Sequence, residues 1–143
     1  MPVRKLISQI DKLQTLYHNY YLKIQEQTAI INEKDNAKLK EVNAEISGMM
    51  ELIDAFQNET DIVGKTNSEI DRIRQKPADT IKPPEKKLIS SYSQIVDLIK
   101  KIQQDLQHNI EMQKVNVQEF KEQKEKEIED LKNTYKAEFQ SEE

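Results

Sequence analysis

Apolar residues recur at alternating spacings of three and four along three long stretches of this chain. Because an α-helix turns once every 3.6 residues, this spacing places them in one narrow stripe per helix, which can be buried only against another helix. The three stripes are Leu6, Ile10, Leu13, Tyr17, Tyr20, Ile24 and Ile31; Leu39, Val42, Ile46, Met49, Ile53 and Phe56; and Leu88, Tyr92, Ile95, Ile99, Ile102, Leu106 and Ile110. The pattern predicts an all-α fold, an antiparallel three-helix bundle or coiled coil with an extended C-terminal helix.

Interruptions of this spacing set the expected helix boundaries within a single helical domain over 1–143. We predict helices over 3–34, 36–76 and 85–140, joined by a turn and by a Pro-rich loop over 77–84. The loop holds three of the four prolines, which lack a backbone donor and disfavour helix in the residue before them.

The second predicted helix has a clear start and an uncertain middle. Asp35 or Asn36 can accept the free backbone N–H groups that open a helix. Gly48 and Gly64 are the only glycines of the chain, and both lie inside this helix, where each costs roughly 1 kcal/mol relative to alanine. Gly64 follows a polar run, so a continuous helix and a break near Gly64 are both open.

The third predicted helix is much longer than the first helix that it would pack against. At 1.5 Å per residue its roughly 55 residues would span about 80 Å, whereas the first helix, of about 30 residues, reaches only half as far. The end of the third helix, from about residue 111, is therefore expected to overhang the bundle; the alternatives are that it folds back or packs on another molecule.

Apolar residues are sparse but regular in this last segment. They are Val117, Phe120, Ile128, Leu131, Tyr135 and Phe139, separated by charged stretches such as 121–127. Because isolated helices are marginal in water, we expect the segment to gain order by binding a protein partner through the first five of these residues. The alternative is a solvated helix end.

Composition narrows the classes of partner and location. Apolar residues make up 36% of the chain, charged residues 34%, and the mean hydropathy is −0.86, which suits thin apolar seams better than a thick core. The 22 basic and 26 acidic residues are mixed along the chain and give a net charge of −4, so no basic stripe for nucleic acid is expected. The apolar runs are too short for a membrane span or a signal peptide. With no cysteine, the chain fits a reducing, cytoplasmic location without membrane insertion.

The sequence offers little for catalysis. His18 and His108 lack the second histidine and carboxylate spacing of a metal motif, and the absence of cysteine excludes thiolate sites. Two glycines cannot build a phosphate-binding loop. We expect no enzyme activity, no metal and no cofactor. The cluster of Tyr17, Tyr20 and Tyr21 is interpreted as core rather than as a recognition patch.

The junction of the first two helices carries a resemblance to a known family. Residues 30–39 read IINEKDNAKL, an Asp-x-x-x-Leu step that leads into Val42, Ile46 and the pair at 52–53. With a third helix that carries Ile99, Ile102, Leu106 and Asn109 before a polar amphipathic end, the chain resembles the FlgN-type flagellar export chaperones. The resemblance covers most of the chain.

The resemblance implies a small cytoplasmic chaperone of type III export. Such a protein binds the C-terminal helical segments of hook–filament junction proteins, keeps them unassembled and presents them to the export gate. Carried over to this chain, the cargo contacts fall on Val117, Phe120, Ile128, Leu131 and Tyr135. The charged region after Lys121 and the Pro-rich loop depart from the family pattern.

Two other functions fit the same helical pattern. One is a structural coiled-coil protein that self-associates through its apolar seams, for which a homodimer is one form. The other is a helical component of the export apparatus or an enzyme regulator made of long helices. The oligomeric state in solution and the shape of the particle separate these functions from the chaperone.

Overall fold

A computed structural model describes the backbone of residues 3–141 and the side chains through Glu138. Within this range the helices are α1 (Val3–Glu33), α2 (Asn36–Thr60), α3 (Ile62–Arg74) and α4 (Pro83–Ser141), with one 3₁₀ turn at Ala78–Thr80. No strand occurs among these residues. The protein is an all-α helical bundle, which confirms the predicted fold class.

The turn between α1 and α2 ends one helix and starts the next within two residues. Lys34 has a positive φ of 58°. The backbone N–H of Lys34 donates to Ile31 O at 3.1 Å and that of Asp35 to Ile30 O at 3.4 Å, the two bonds of a Schellman helix end. Asp35 then caps α2, because its Oδ1 accepts from the Lys38 N–H at 3.1 Å. Asp35 is thus the capping residue of the predicted pair.

The segment predicted as one helix over 36–76 consists of two helices that meet at Asp61. Asp61 adopts a left-handed conformation, with φ 46° and ψ 39°, and its N–H donates to Gln57 O at 2.8 Å. A left-handed residue stops helix propagation, and aspartate tolerates this conformation better than most residues. The break therefore lies three residues before Gly64. A Cβ at Gly64 would come within 2.8 Å of Asp61 Oδ1, so glycine leaves room for that carboxylate.

Side-chain hydrogen bonds give the direction of each helix pair. Between α1 and α2, Gln27 Nε2 donates to Asn43 Oδ1 at 2.8 Å and Gln57 Nε2 donates to Tyr17 Oη at 3.0 Å, so these helices are antiparallel. Between α1 and α4, two glutamines of α1 each donate from Nε2 to a side chain of α4, and in both pairs the partners are 80 residues apart in sequence. That constant offset means that α1 and α4 run parallel. The three-helix topology is therefore the predicted one, with α2 followed by α3 as its middle member.

Isoleucine and leucine dominate the core of this bundle. Fully burying one such side chain contributes about 1.5–3 kcal/mol, so the seams account for most of the stabilisation. Core residues are Leu6, Ile7, Ile10, Leu13, Tyr20, Ile24 and Ile30 of α1, Val42, Ile46 and Ile53 of α2, Ile62, Ile70 and Ile73 of α3, and Leu88, Ile95 and Ile102 of α4. Apart from Ile7 and Ile30, the core residues of α1, α2 and α4 belong to the predicted stripes, whereas the three of α3 lie outside them.

The tyrosine cluster belongs to this core, as predicted. Tyr20 is buried, and Tyr17 and Tyr21 are half-buried against it. Burial raises the pKa of Tyr17 and of Tyr20. Lys101 Nζ lies 4.8 Å from the centroid of the Tyr21 ring, so Tyr21 joins α1 to α4 through a cation–π contact.

A buried carboxylate fixes the start of α4, two residues before the predicted position. Glu85 Oε1 accepts from the backbone N–H of Lys82 at 3.0 Å, and the two carboxylate oxygens accept from Lys76 Nζ at 3.1 and 2.8 Å and from Arg72 Nη2 at 3.2 Å. The bond to Lys82 is the return half of a capping box. Hydrogen bonds from Lys76 and from the Lys82 backbone, together with the nearby positive charges, lower the pKa of Glu85. This cluster ties α3 to the end of the Pro-rich loop.

Candidate partner-binding helix

The chain divides into two units, Met1–Gln107 and His108–Glu143. The first is the helical bundle described above. The second, over its described residues, consists of the last part of α4 alone. Every side chain from residue 117 to residue 138 is exposed, so this helix buries no apolar surface of its own over that length.

All five predicted partner-binding residues lie on this helix. Val117, Phe120, Ile128, Leu131 and Tyr135 keep 67%, 62%, 52%, 69% and 65% of their surface exposed. Together these five side chains expose a large apolar area to water, and exposed apolar surfaces of this kind are typical of protein interaction sites.

The apolar residues share one face of the helix. Since successive residues turn by about 100°, six side chains fall within an arc of about 80°. We call them the C-terminal stripe: Ile110, Val117, Phe120, Ile128, Leu131 and Tyr135. The sequence spacing predicts Ile110 in the bundle seam, but it lies in the second unit and is 46% exposed. Val115 is equally exposed and points to the opposite side of the helix, outside the stripe.

The C-terminal half of the stripe forms a shallow apolar depression. Ile128, Leu131 and Tyr135 line it, at positions i, i+3 and i+7, and Lys132 and Lys136 border it. All five residues lie on a single helix. The depression is therefore a helix face onto which another helix can pack, and it is not an enclosed cavity for a small molecule.

Two lysines interrupt the stripe between Phe120 and Ile128. Lys124 lies on the centre line of the arc, and Lys121 lies at one edge of it. Lys124 Nζ is 5.5 Å from the centroid of the Phe120 ring and 3.4 Å from Oε2 of Glu127, at the other edge. Sequence spacing alone could have placed both lysines on this face, since they fill its three-four register.

The back of the helix is acidic and solvated. Glu119, Glu122, Glu129 and Asp130 lie away from the stripe and are exposed. Gln118 Nε2 donates to Glu122 Oε1 at 3.1 Å, one turn away, a contact that supports an exposed helix. The helix therefore has one apolar face that bears Lys121 and Lys124, and an opposite face on which acidic residues outnumber lysine.

The described residues show no arrangement of metal-ligand side chains. No group of three or more His, Asp or Glu residues there could hold a metal ion. His18 and His108 are both exposed. In the part of the chain that the structure covers, no helix is both long and apolar enough to cross a membrane.

In comparisons with known proteins, no family model, no curated protein and no solved structure matches this chain. The resemblance to the FlgN-type chaperones depends on the residues quoted for it. In the structure, Asp35 of the Asp-x-x-x-Leu step is the α2 cap, and Leu39 is the first residue of α2 that packs against the core. Both residues of the step therefore have a structural role in the α1–α2 hairpin.

Proposed function

We propose that this chain is a non-enzymatic protein that binds a helix of another protein through the C-terminal stripe. The observation that carries the proposal is the exposure of six large apolar side chains on one face of a helix that buries none of them in a core. An amphipathic helix of a partner can pack its own apolar face against this stripe in the helix-in-groove manner.

In its specific form, the protein is a cytoplasmic flagellar type III export chaperone. This part of the proposal comes from the resemblance to the FlgN-type family. The cargo would be the C-terminal helical segments of hook–filament junction proteins. Covering the apolar face of such a segment keeps it from assembling before export, and the chaperone then presents the cargo to the export gate.

The mechanism requires only packing and release. Large apolar side chains that are still about half to two-thirds exposed each have roughly 1 kcal/mol or more to gain on burial. Part of this gain is offset by the loss of translational and side-chain freedom on association. Affinity is then set by how well the partner fills the stripe, and a cargo can be handed on without any covalent step.

Binding to isolated C-terminal segments of hook–filament junction proteins tests this function. The full-length chain should bind them, measured by calorimetry, and a chain truncated after residue 111 should lose binding while the bundle retains its helical circular dichroism signal. Unchanged affinity of the truncated chain would show that the stripe is not the binding site. Failure of the full-length chain to bind any such segment would refute the flagellar assignment.

Molar mass in solution separates this proposal from self-association through the same seams. A monomer at micromolar concentration that becomes a defined complex with the segment supports the chaperone. A stable homodimer that excludes the segment supports the structural coiled coil instead.

A further inference from the structure

The charged residues that lie among the apolar residues of the C-terminal stripe specify its occupant more narrowly than the apolar residues do. Between Val117 and Tyr135, the charged side chain on the centre line of the stripe is Lys124, with Lys121 one turn before it. The carboxylate of Glu127 reaches Lys124 from the edge at 3.4 Å, but both side chains remain about half exposed. An exposed pair of this kind contributes little, so Lys124 still needs a partner charge when the stripe is covered.

A second copy of this chain does not supply that charge. In a parallel pair in register, Lys124 faces Lys124 of the copy. In an antiparallel pair that covers the whole stripe, Ile110 lies opposite Tyr135, and the same register puts Lys121 opposite Lys124. Both arrangements place ammonium groups against each other in a dehydrated seam, which opposes association.

An anionic lipid surface is also a poor occupant. Residues 111–138 carry six lysines and eight acidic residues, a net charge of −2. The lysines that bind anionic membranes usually belong to a helix with a basic polar face. Here the polar face carries Glu119, Glu122, Glu129 and Asp130, which an anionic surface repels.

We propose that the occupant of the C-terminal stripe is an amphipathic helix of another protein whose apolar seam is interrupted by two carboxylates, spaced to face Lys121 and Lys124. This inference depends on the proposed helix-binding function and deepens it. The apolar residues on either side of the carboxylates pack against Val117 and Phe120 and against Ile128 and Leu131. The pair of charges sets the register of the bound helix, because a shift along the stripe leaves at least one lysine without a carboxylate.

Three synthetic amphipathic helices of identical length and apolar seam provide the test. They carry Glu, Gln or Lys at the two seam positions that face the lysines. With the full-length chain, anisotropy titrations should show the Glu peptide binding at least tenfold more tightly than the Lys peptide, with the Gln peptide between them. Higher salt should reduce the advantage of the Glu peptide.

Charge reversal on the chain provides the control. The K121E/K124E variant should reverse the ranking and prefer the Lys peptide. Lys126 is the matched control, since it lies two residues from Lys124 on the opposite face, and K126E should leave the ranking unchanged. All three sites are exposed, so folding should be unaffected, and circular dichroism checks this.

The outcomes distinguish this inference from the proposed function. If all three peptides bind equally and F120A weakens them all, helix binding stands and the charge-matched occupant is refuted. If no peptide binds, both are refuted. Tighter binding to phosphatidylserine vesicles than to the Glu peptide, or formation of a homodimer that excludes the peptide, would also overturn the inference.

Discussion

Truncating single stripe residues provides a quantitative test of the binding face. Phe120 is 62% exposed and Val117 is 67% exposed. Burying a whole phenylalanine contributes about 1.5–3 kcal/mol, so the exposed part of Phe120 has roughly 1–2 kcal/mol to gain in a complex. At 1.4 kcal/mol per factor of ten, F120A should weaken partner binding about five- to thirtyfold. The smaller side chain of Val117 predicts a loss of about three- to fivefold for V117A.

Val115 supplies the matched control, because it is an exposed valine of the same helix on the opposite face. V115A makes the same chemical change and should alter the dissociation constant by less than about twofold. Calorimetric titration of each variant with one helical partner, alongside circular dichroism, gives the comparison. Equal losses for V115A and V117A, or no loss for F120A, would refute the assignment of the stripe as the binding face.

Three further predictions concern stability and association. G48A should stabilise the bundle by up to about 1 kcal/mol, because a Cβ there meets no atom within 4 Å. G64A should stabilise it less, because its Cβ would contact a carboxylate at 2.8 Å. Urea unfolding measures the free energy of unfolding of both variants. The pKa of Glu85 lies below its ordinary value of 4.5 in the folded chain, so the stability that Glu85 contributes is present above that value and is lost as pH falls through the lowered pKa. E85Q should therefore be less stable than the unsubstituted chain at pH 7 and lose less stability between pH 5 and pH 3. An equal loss of unfolding free energy in both chains over that pH range would contradict this. Replacing Lys121 and Lys124 with leucine should raise the molar mass by sedimentation relative to the unsubstituted chain, and a variant whose molar mass is unchanged would show that the lysines do not prevent self-pairing.

The bundle followed from sequence spacing because its seams are regular. Residues such as Ile10, Val42 and Ile95 repeat at three and four, and helix geometry alone then decides which faces meet. Asp35 was one of two candidate caps, and its short side chain at the start of an apolar run is a local signal. Features that depend on neighbouring residues in sequence were thus accessible.

Features that depend on backbone conformation or on distant partners were not. The break at Asp61 requires a positive φ at a residue other than glycine, which spacing does not encode, so the sequence points to Gly64 instead. The early start of α4 depends on Glu85 meeting Lys76 and Arg72 of the preceding segment, a contact that the sequence does not reveal.

The candidate site was accessible only in part. The five apolar positions were identified from their regular spacing in a charged segment. Ile110 was assigned to the bundle seam, because a stripe that continues in register looks the same in sequence whether it is covered or exposed. The overhang of the helix beyond about residue 111 stays a prediction.

Amide hydrogen exchange of the isolated full-length chain tests the central claim most directly. If the C-terminal stripe buries no apolar surface until a partner helix covers it, the amides of residues 117–138 should exchange within seconds to minutes while those of the α1 and α2 core exchange slowly. Adding a bound helical partner should then slow exchange through that segment selectively. Slow exchange of residues 117–138 in the isolated chain, unchanged by the partner, would contradict the account.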